Sequence, residues 1–210
     1  MSNYARRERL LLVDLLEAVG PDASTLCKGW KTQDLAAHLV LRERRPDAAG
    51  GMFIKPLAGR LSKVQGEYAA KPYPELLELF RSGPPSLSLF GIPGADEAAN
   101  TVEYYVHGED VRRAQPDWQP RVLDGEFAEV LWKRLARMAP LSGRKAPVGM
   151  VLRRPDGQTA VARKGAPVVT VTGEPSELLL FAMGRQSHAQ VELEGDPDAV
   201  TRISTAELGM

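Results

Sequence analysis

The chain has 210 residues, 43% of them apolar, enough for one large domain or two small ones with a packed core. Lysine plus arginine balance aspartate plus glutamate at 27 each, so no excess of charge recommends a nucleic acid or an anionic membrane as partner. The single cysteine excludes an internal disulfide and a cysteine-rich metal site and fits a reducing cytoplasm, and no apolar run approaches the roughly 18–20 residues of a membrane span.

The first stretch, MSNYARRERLLLVDLLEAVG, has a charged start, but Asp14 and Glu17 interrupt its apolar residues and no small-residue cleavage pattern follows. It reads as the first helix of a mature protein, with Leu12, Leu15, Leu16 and Val19 on one side and Gly20-Pro21 as its end. Thr32 is the expected N-cap of a second helix, with Asp34 in its first turn, carrying Leu35, His38, Leu39 and Arg42 before Pro46. Prolines and glycines break the region from Gly50 to Gly94, which should hold one or two helices and a long loop. A strong helix is predicted from about Asp96 to Ala114 and another from about Gly125 to Met138. Long helices with substantial connections predict a four-helix bundle, whose facing helices are natural places for a metal site.

The rhythm changes near residue 147. VGMVLRRPDGQTAVARK reads as two β-strands about a Pro155-Asp156-Gly157 turn, APVVTVTG as another strand, and EPSELLLFAMGR as a helix with proline in its first turn. AQVELEG gives a further strand and DPDAVTRI a short last helix. The expected fold class is therefore α+β, with a helical bundle at 1–142 and a small α+β domain at 143–210. A polar linker is expected in PLSGRKAP, between Pro140 and Pro147.

Three histidines occur: His38, His107 and His188. Glu103 precedes His107 by one helical turn, so the two side chains share a face. By spacing alone the pair reads as a helical ion pair or a core histidine; as a metal site it needs a third ligand, for which His38, beside the apolar Leu35 and Leu39, is the candidate. Two imidazoles and one carboxylate would leave positions open, which suits catalysis better than structural closure. Asp110 reads either as a surface charge or as the acceptor that orients a ligand. His188, after GRQS, reads as a surface histidine. Cys27 reads as a partly buried, inert thiol with no histidine near in sequence, and Trp30 and Trp118 as packing anchors.

GWKTQDLAAHLVLRERRPDA resembles the N-terminal motif of the DinB-like metal-binding superfamily, in its actinobacterial branch with the mycothiol-dependent maleylpyruvate isomerases. EYYVHGEDVRRA is similar to the second motif of that group, and VTGEPSELLLFAMGR with VELEGDPDAV to its C-terminal domain, so the resemblance covers nearly the whole chain. It implies a DinB-like bundle in which His38, Glu103 and His107 bind a divalent metal and Asp110 supports a ligand. Gly108 stands where many relatives carry a second adjacent histidine, so substrate identity does not transfer.

The resemblance further implies a low-molecular-weight thiol of the mycothiol type as cosubstrate; imidazole-rich ligation suits zinc, or alternatively nickel, and the metal-held thiolate would act on a small electrophile as a transferase or isomerase. Arg42 and Arg185 are candidates for meeting an acidic group of substrate or thiol, although Arg42 also reads as a helix-surface arginine. The rival is a non-catalytic metal- or small-ligand-binding protein. A metal-responsive regulator finds no support, since there is neither a basic recognition helix nor a cysteine sensor motif.

Overall fold

Gly20 takes φ 78°, a conformation open to glycine at little cost, and turns the chain out of the first helix. The computed structural model describes residues 3–49, 51, 56, 58–85 and 94–209. Part of the long loop expected before Gly94 lies outside the described residues. Helix α1 spans Tyr4–Val19, α2 Thr32–Arg44, α3 Pro46–Ala49, α4 Ala58–Ala69, α5 Tyr73–Arg81 and α6 Ala95–Arg112. At the start of α2 the N-cap is Lys31, one residue earlier than expected; its N–H donates to Asp34 at 2.9 Å, while the Thr32 hydroxyl donates to the Gly20 carbonyl.

Cα packing divides the chain into two units, residues 1–119 and 120–210. In the first, α1 packs on α6 and α5, and α2 packs on α5 and α4. Leu12, Leu16, Leu35, Leu39, Leu76, Phe80, Tyr104 and Val111 interlock as its core. Each fully buried aliphatic or aromatic side chain there contributes about 1.5–3 kcal/mol of transfer free energy. The core also encloses charge: Arg9 donates to Glu43 at 2.9 Å, to Asp96 at 3.1 Å and to the Tyr104 hydroxyl at 3.0 Å, and Tyr104 in turn donates to Glu43.

Helix α7, Gly125–Ser142, belongs to the second unit, where it packs on β2 and α8. The expectation put this helix in the bundle and the boundary at 142/143; the packing puts the boundary at 119/120. The amphipathic α5, from the proline-broken middle, packs with α1 and α2 in its stead. Periodicity identifies an apolar face without naming what covers it. Asp124 caps α7 by accepting from Phe127 N–H at 2.7 Å.

Strands β1 (Gly149–Arg153), β2 (Thr159–Arg163), β3 (Val168–Thr172) and β4 (Glu192–Glu194) form a sheet in the order β2-β1-β3-β4. The β1–β2 hairpin is antiparallel, with Gly157 at φ 88° in the expected Pro-Asp-Gly turn. β3 runs parallel to β1, pairing Val151 with Thr170, and β4 returns antiparallel to β3, pairing Leu193 with Val171. Helices α8 (Pro175–Ala182) and α9 (Pro197–Ser204) complete the unit, and Met150, Leu152, Val169, Val171, Leu178, Phe181 and Ile203 are buried in it.

Candidate metal centre

Burial of Leu35 and Leu39 in the core leaves His38, between them on α2, at the edge of the apolar face with 12% of its side chain exposed. On α6, Glu103, His107 and Asp110 recur at intervals of four and three and so occupy one stripe. Packing of the bundle closes the 65 positions that separate His38 from Glu103: His38 Nε2 lies 3.3 Å from Glu103 Oε1, and His107 Nε2 lies 3.2 Å from the same oxygen. The two imidazole centroids are 5.4 Å apart, nearly perpendicular, and the Trp30 ring lies 5.1 Å from that of His38. Trp30 thus walls the site as well as packing on the core.

The other nitrogen of His107, Nδ1, is 2.9 Å from Asp110 Oδ2. Asp110 is fully buried and in contact with His107, so it is not a surface charge. When His107 is neutral, that carboxylate holds the proton on Nδ1 and leaves the Nε2 lone pair directed at the side of Glu103.

Cys27 joins the same group. Its thiol donates to Asp110 Oδ2 at 3.2 Å and lies 3.8 Å from His107 Nδ1. The segment before α2 is fastened to α6 by Leu26 N–H, which donates to the Asp110 carbonyl at 3.0 Å, and it is folded on itself by Thr25, whose hydroxyl donates to the Trp30 carbonyl at 2.9 Å. No spacing rule reveals this contact, because Cys27 and His107 are 80 positions apart and the former lies outside any periodic element. The expectation that no histidine lies near Cys27 in sequence holds, yet the fold brings one to it.

Arg42 is mostly covered, with 17% of its side chain exposed, and its Nε lies 3.4 Å from Glu103 Oε1. It is not a solvated surface arginine. Arg185 and His188 belong to the second unit: Arg185 donates to the Met183 carbonyl at 2.5 Å, and His188 Nδ1 lies 2.9 Å from Ser187 Oγ on a 3-10 turn. At Gly108 an added Cβ would meet nothing within 4 Å among the described residues, so no steric demand for glycine shows there.

Burial would raise the Glu103 carboxyl, but hydrogen bonds with His107 and His38 and the nearby positive charges hold it well below the usual carboxylate range. Burial pushes His38 below the ordinary imidazole value and so favours its neutral, ligating form. Burial acts in the same sense on His107, yet bonding to Asp110, Cys27 and Glu103 holds its imidazole well above the ordinary value.

One ligand atom each of His38, Glu103 and His107 lies within 4.8 Å of the other two, as do those of Cys27, His107 and Asp110. The first set fits a divalent ion: zinc at roughly 2.0–2.2 Å from tetrahedral ligands separates them by about 3.4 Å. The 3.2 and 3.3 Å separations match that spacing. In the second set His107 Nδ1 and the thiol share one oxygen of buried Asp110, which is the pattern of a hydrogen-bonded support for the first.

No family model matches the sequence. No curated protein matches it either. Among solved structures, the crystal structure of the mycothiol-dependent maleylpyruvate isomerase superposes with a TM-score of 0.63 at 17% identity, over 91% of this chain and 90% of that one. A histidine-to-alanine variant of that enzyme superposes with a TM-score of 0.57 at 16% identity over the same shares. The chain therefore carries the DinB-like fold of that isomerase, a helical bundle followed by a small α+β unit.

Proposed function

We propose that this protein is a metal- and thiol-dependent transferase or isomerase, in which His38, Glu103 and His107 bind one divalent ion and a mycothiol-type thiol attacks a small electrophilic substrate. The observation that carries this reading is the convergence of His38 Nε2 and His107 Nε2 on Glu103 Oε1, with His107 held from behind by Asp110. The fold shared with a mycothiol-dependent isomerase supports the thiol half of it.

Two imidazoles and one carboxylate suit zinc first and nickel second. When bound, such an ion supplies a positive centre that stabilises a thiolate well below a free thiol's pKa of about 8.5. With an ion bound, His107 would release its Nε2 proton, so that His38 and His107 contribute neutral nitrogens and Glu103 one negative charge, while Asp110 keeps the other His107 proton on Nδ1. Half-buried Trp30 and the apolar edge of the bundle shield one side from water. The thiolate sulfur then forms a C–S bond to the electrophilic carbon, either as the alkene π bond breaks and its electron pair passes to the conjugated carbonyl as an enolate, or as a leaving group is expelled. In an isomerisation the same bond breaks after rotation and the thiol is returned; in a transfer a leaving group departs or a proton completes the addition.

Elemental analysis should find about one divalent ion per chain. The metal-loaded protein should then accelerate thiol addition to activated alkenes or cis–trans isomerisation of an enedioate. A full complement of metal with no turnover across several thiols and electrophiles would leave a binding protein, and no metal after reconstitution would sink the site.

A further inference from the structure

One turn beyond the ligand on each helix, a second set of contacts joins α2 to α6. Arg42 follows His38 by four residues, and Ala99 and Asn100 precede Glu103 by four and three. Arg42 Nε lies 3.4 Å from Glu103 Oε1, Nη1 donates to Asn100 Oδ1, and Nη2 donates to the Ala99 carbonyl at 3.3 Å. Asn100 is fully buried. Its Nδ2 donates to Asp96 Oδ1 at 2.6 Å, and that oxygen also accepts from Arg9 at 3.1 Å. The amide has one workable orientation, because its oxygen must face a guanidinium and its nitrogen a carboxylate.

Resting on the metal reading above, we propose that Arg42, aimed by Asn100, is a positioning residue that fixes the Glu103 carboxylate against His38 and His107. All three guanidinium nitrogens are engaged by groups of α6. In this reading Arg42 clamps a ligand and does not meet an acidic group of substrate or thiol. The planar fork is what makes the clamp: lysine offers a point charge and cannot reach a side-chain amide, a backbone carbonyl and a carboxylate in one geometry. Asn100 carries no signal in the sequence, since an asparagine in the second turn of a helix reads as a surface residue.

The test is metal retention, with chelator challenge of the zinc-loaded protein and the visible ligand-field band of the cobalt-loaded protein as readouts. Arg42→Met and Asn100→Leu should each speed metal loss by roughly 10- to 100-fold and shift the cobalt band the same way. The double variant should resemble either single one, because the two act in one chain. Arg42→Lys should behave like Arg42→Met. Thr101→Val is the control: it lies on the same buried stretch of α6, but among the described residues its hydroxyl bonds to Glu97 alone, so it should leave the band in place. Multiplying effects in the double variant, or parent-like retention in Arg42→Lys, would overturn the clamp. If Asn100→Leu fails to fold, the partly exposed Arg42 carries the comparison. A parent protein that holds no metal would overturn the metal reading and this proposal with it, and that outcome is distinct because it is read before any variant is made.

Discussion

Asp110 accepts from His107 across 2.9 Å, three residues along the same helix, and does so from a position with no solvent exposure. A buried carboxylate in that place sets both the ring plane and the tautomer of His107. Asp110→Ala should lower metal affinity by about 10- to 100-fold, and Asp110→Asn, which keeps an acceptor of the same shape, by less. Competition against a chelator of known affinity measures both. Equal affinity in Asp110→Ala and the parent would remove Asp110 from the site.

Replacement of His38, Glu103 or His107 by alanine should abolish most metal binding in each case, and pairs of replacements should cost little more than one. Circular dichroism should remain that of the parent, because the bundle rests on Leu12, Leu16, Leu35, Leu39 and Phe80. If His38→Ala bound metal as tightly as the parent while Glu103→Ala did not, the third ligand would have to be sought elsewhere.

Arg9→Met should cost about 3–5 kcal/mol in urea denaturation, since it strands the buried Glu43 carboxylate. Arg9→Met combined with Glu43→Leu should recover much of that loss, because an apolar pair of similar volume replaces the ion pair. Equal stability of the single and double variants would show that the loss came from packing around Arg9 and not from an orphaned charge.

Limited proteolysis by an enzyme of broad specificity should cut first between Pro116 and Asp124, where the chain has no regular structure and Val122 is fully exposed. The PLSGRKAP stretch should resist, because it continues α7 into a 3-10 turn in which Gly143 is buried. First cuts near Gly143 would restore the boundary expected from composition.

Turn glycines and helix-starting prolines were the legible part of the fold, whereas the cap of α2 fell on Lys31 and not on Thr32. Gly20, Pro155-Asp156-Gly157 and Pro175 act through their own backbone preferences, so their positions transfer from sequence to structure with little help. The partners of α5 and α7 were not legible, since both present an apolar stripe and only tertiary packing decides which one joins α1 and α2. At the candidate site, helical spacing places Glu103 and His107 on one face, which by itself reads as an ion pair or a core histidine, and it is the resemblance of both motifs that joins His38 to them as ligands. Cys27 and Asn100 carry no such signal, because each acts through a contact at least 58 positions away in the chain.

On the proposed metal reading, the 65-residue separation of His38 from Glu103 would also order events in time. An unfolded chain offers a metal the Glu103–His107 pair, a weak bidentate grip that any helical fragment could mimic. The third ligand arrives only after α2 and α6 have docked, with the loop-closure entropy between them already spent. If the three residues bind a metal as proposed, the rate at which a refolding chain gains tight binding would report the docking of α2 and α6, not the formation of either. Such an ion would in turn favour the docked helix pair by mass action.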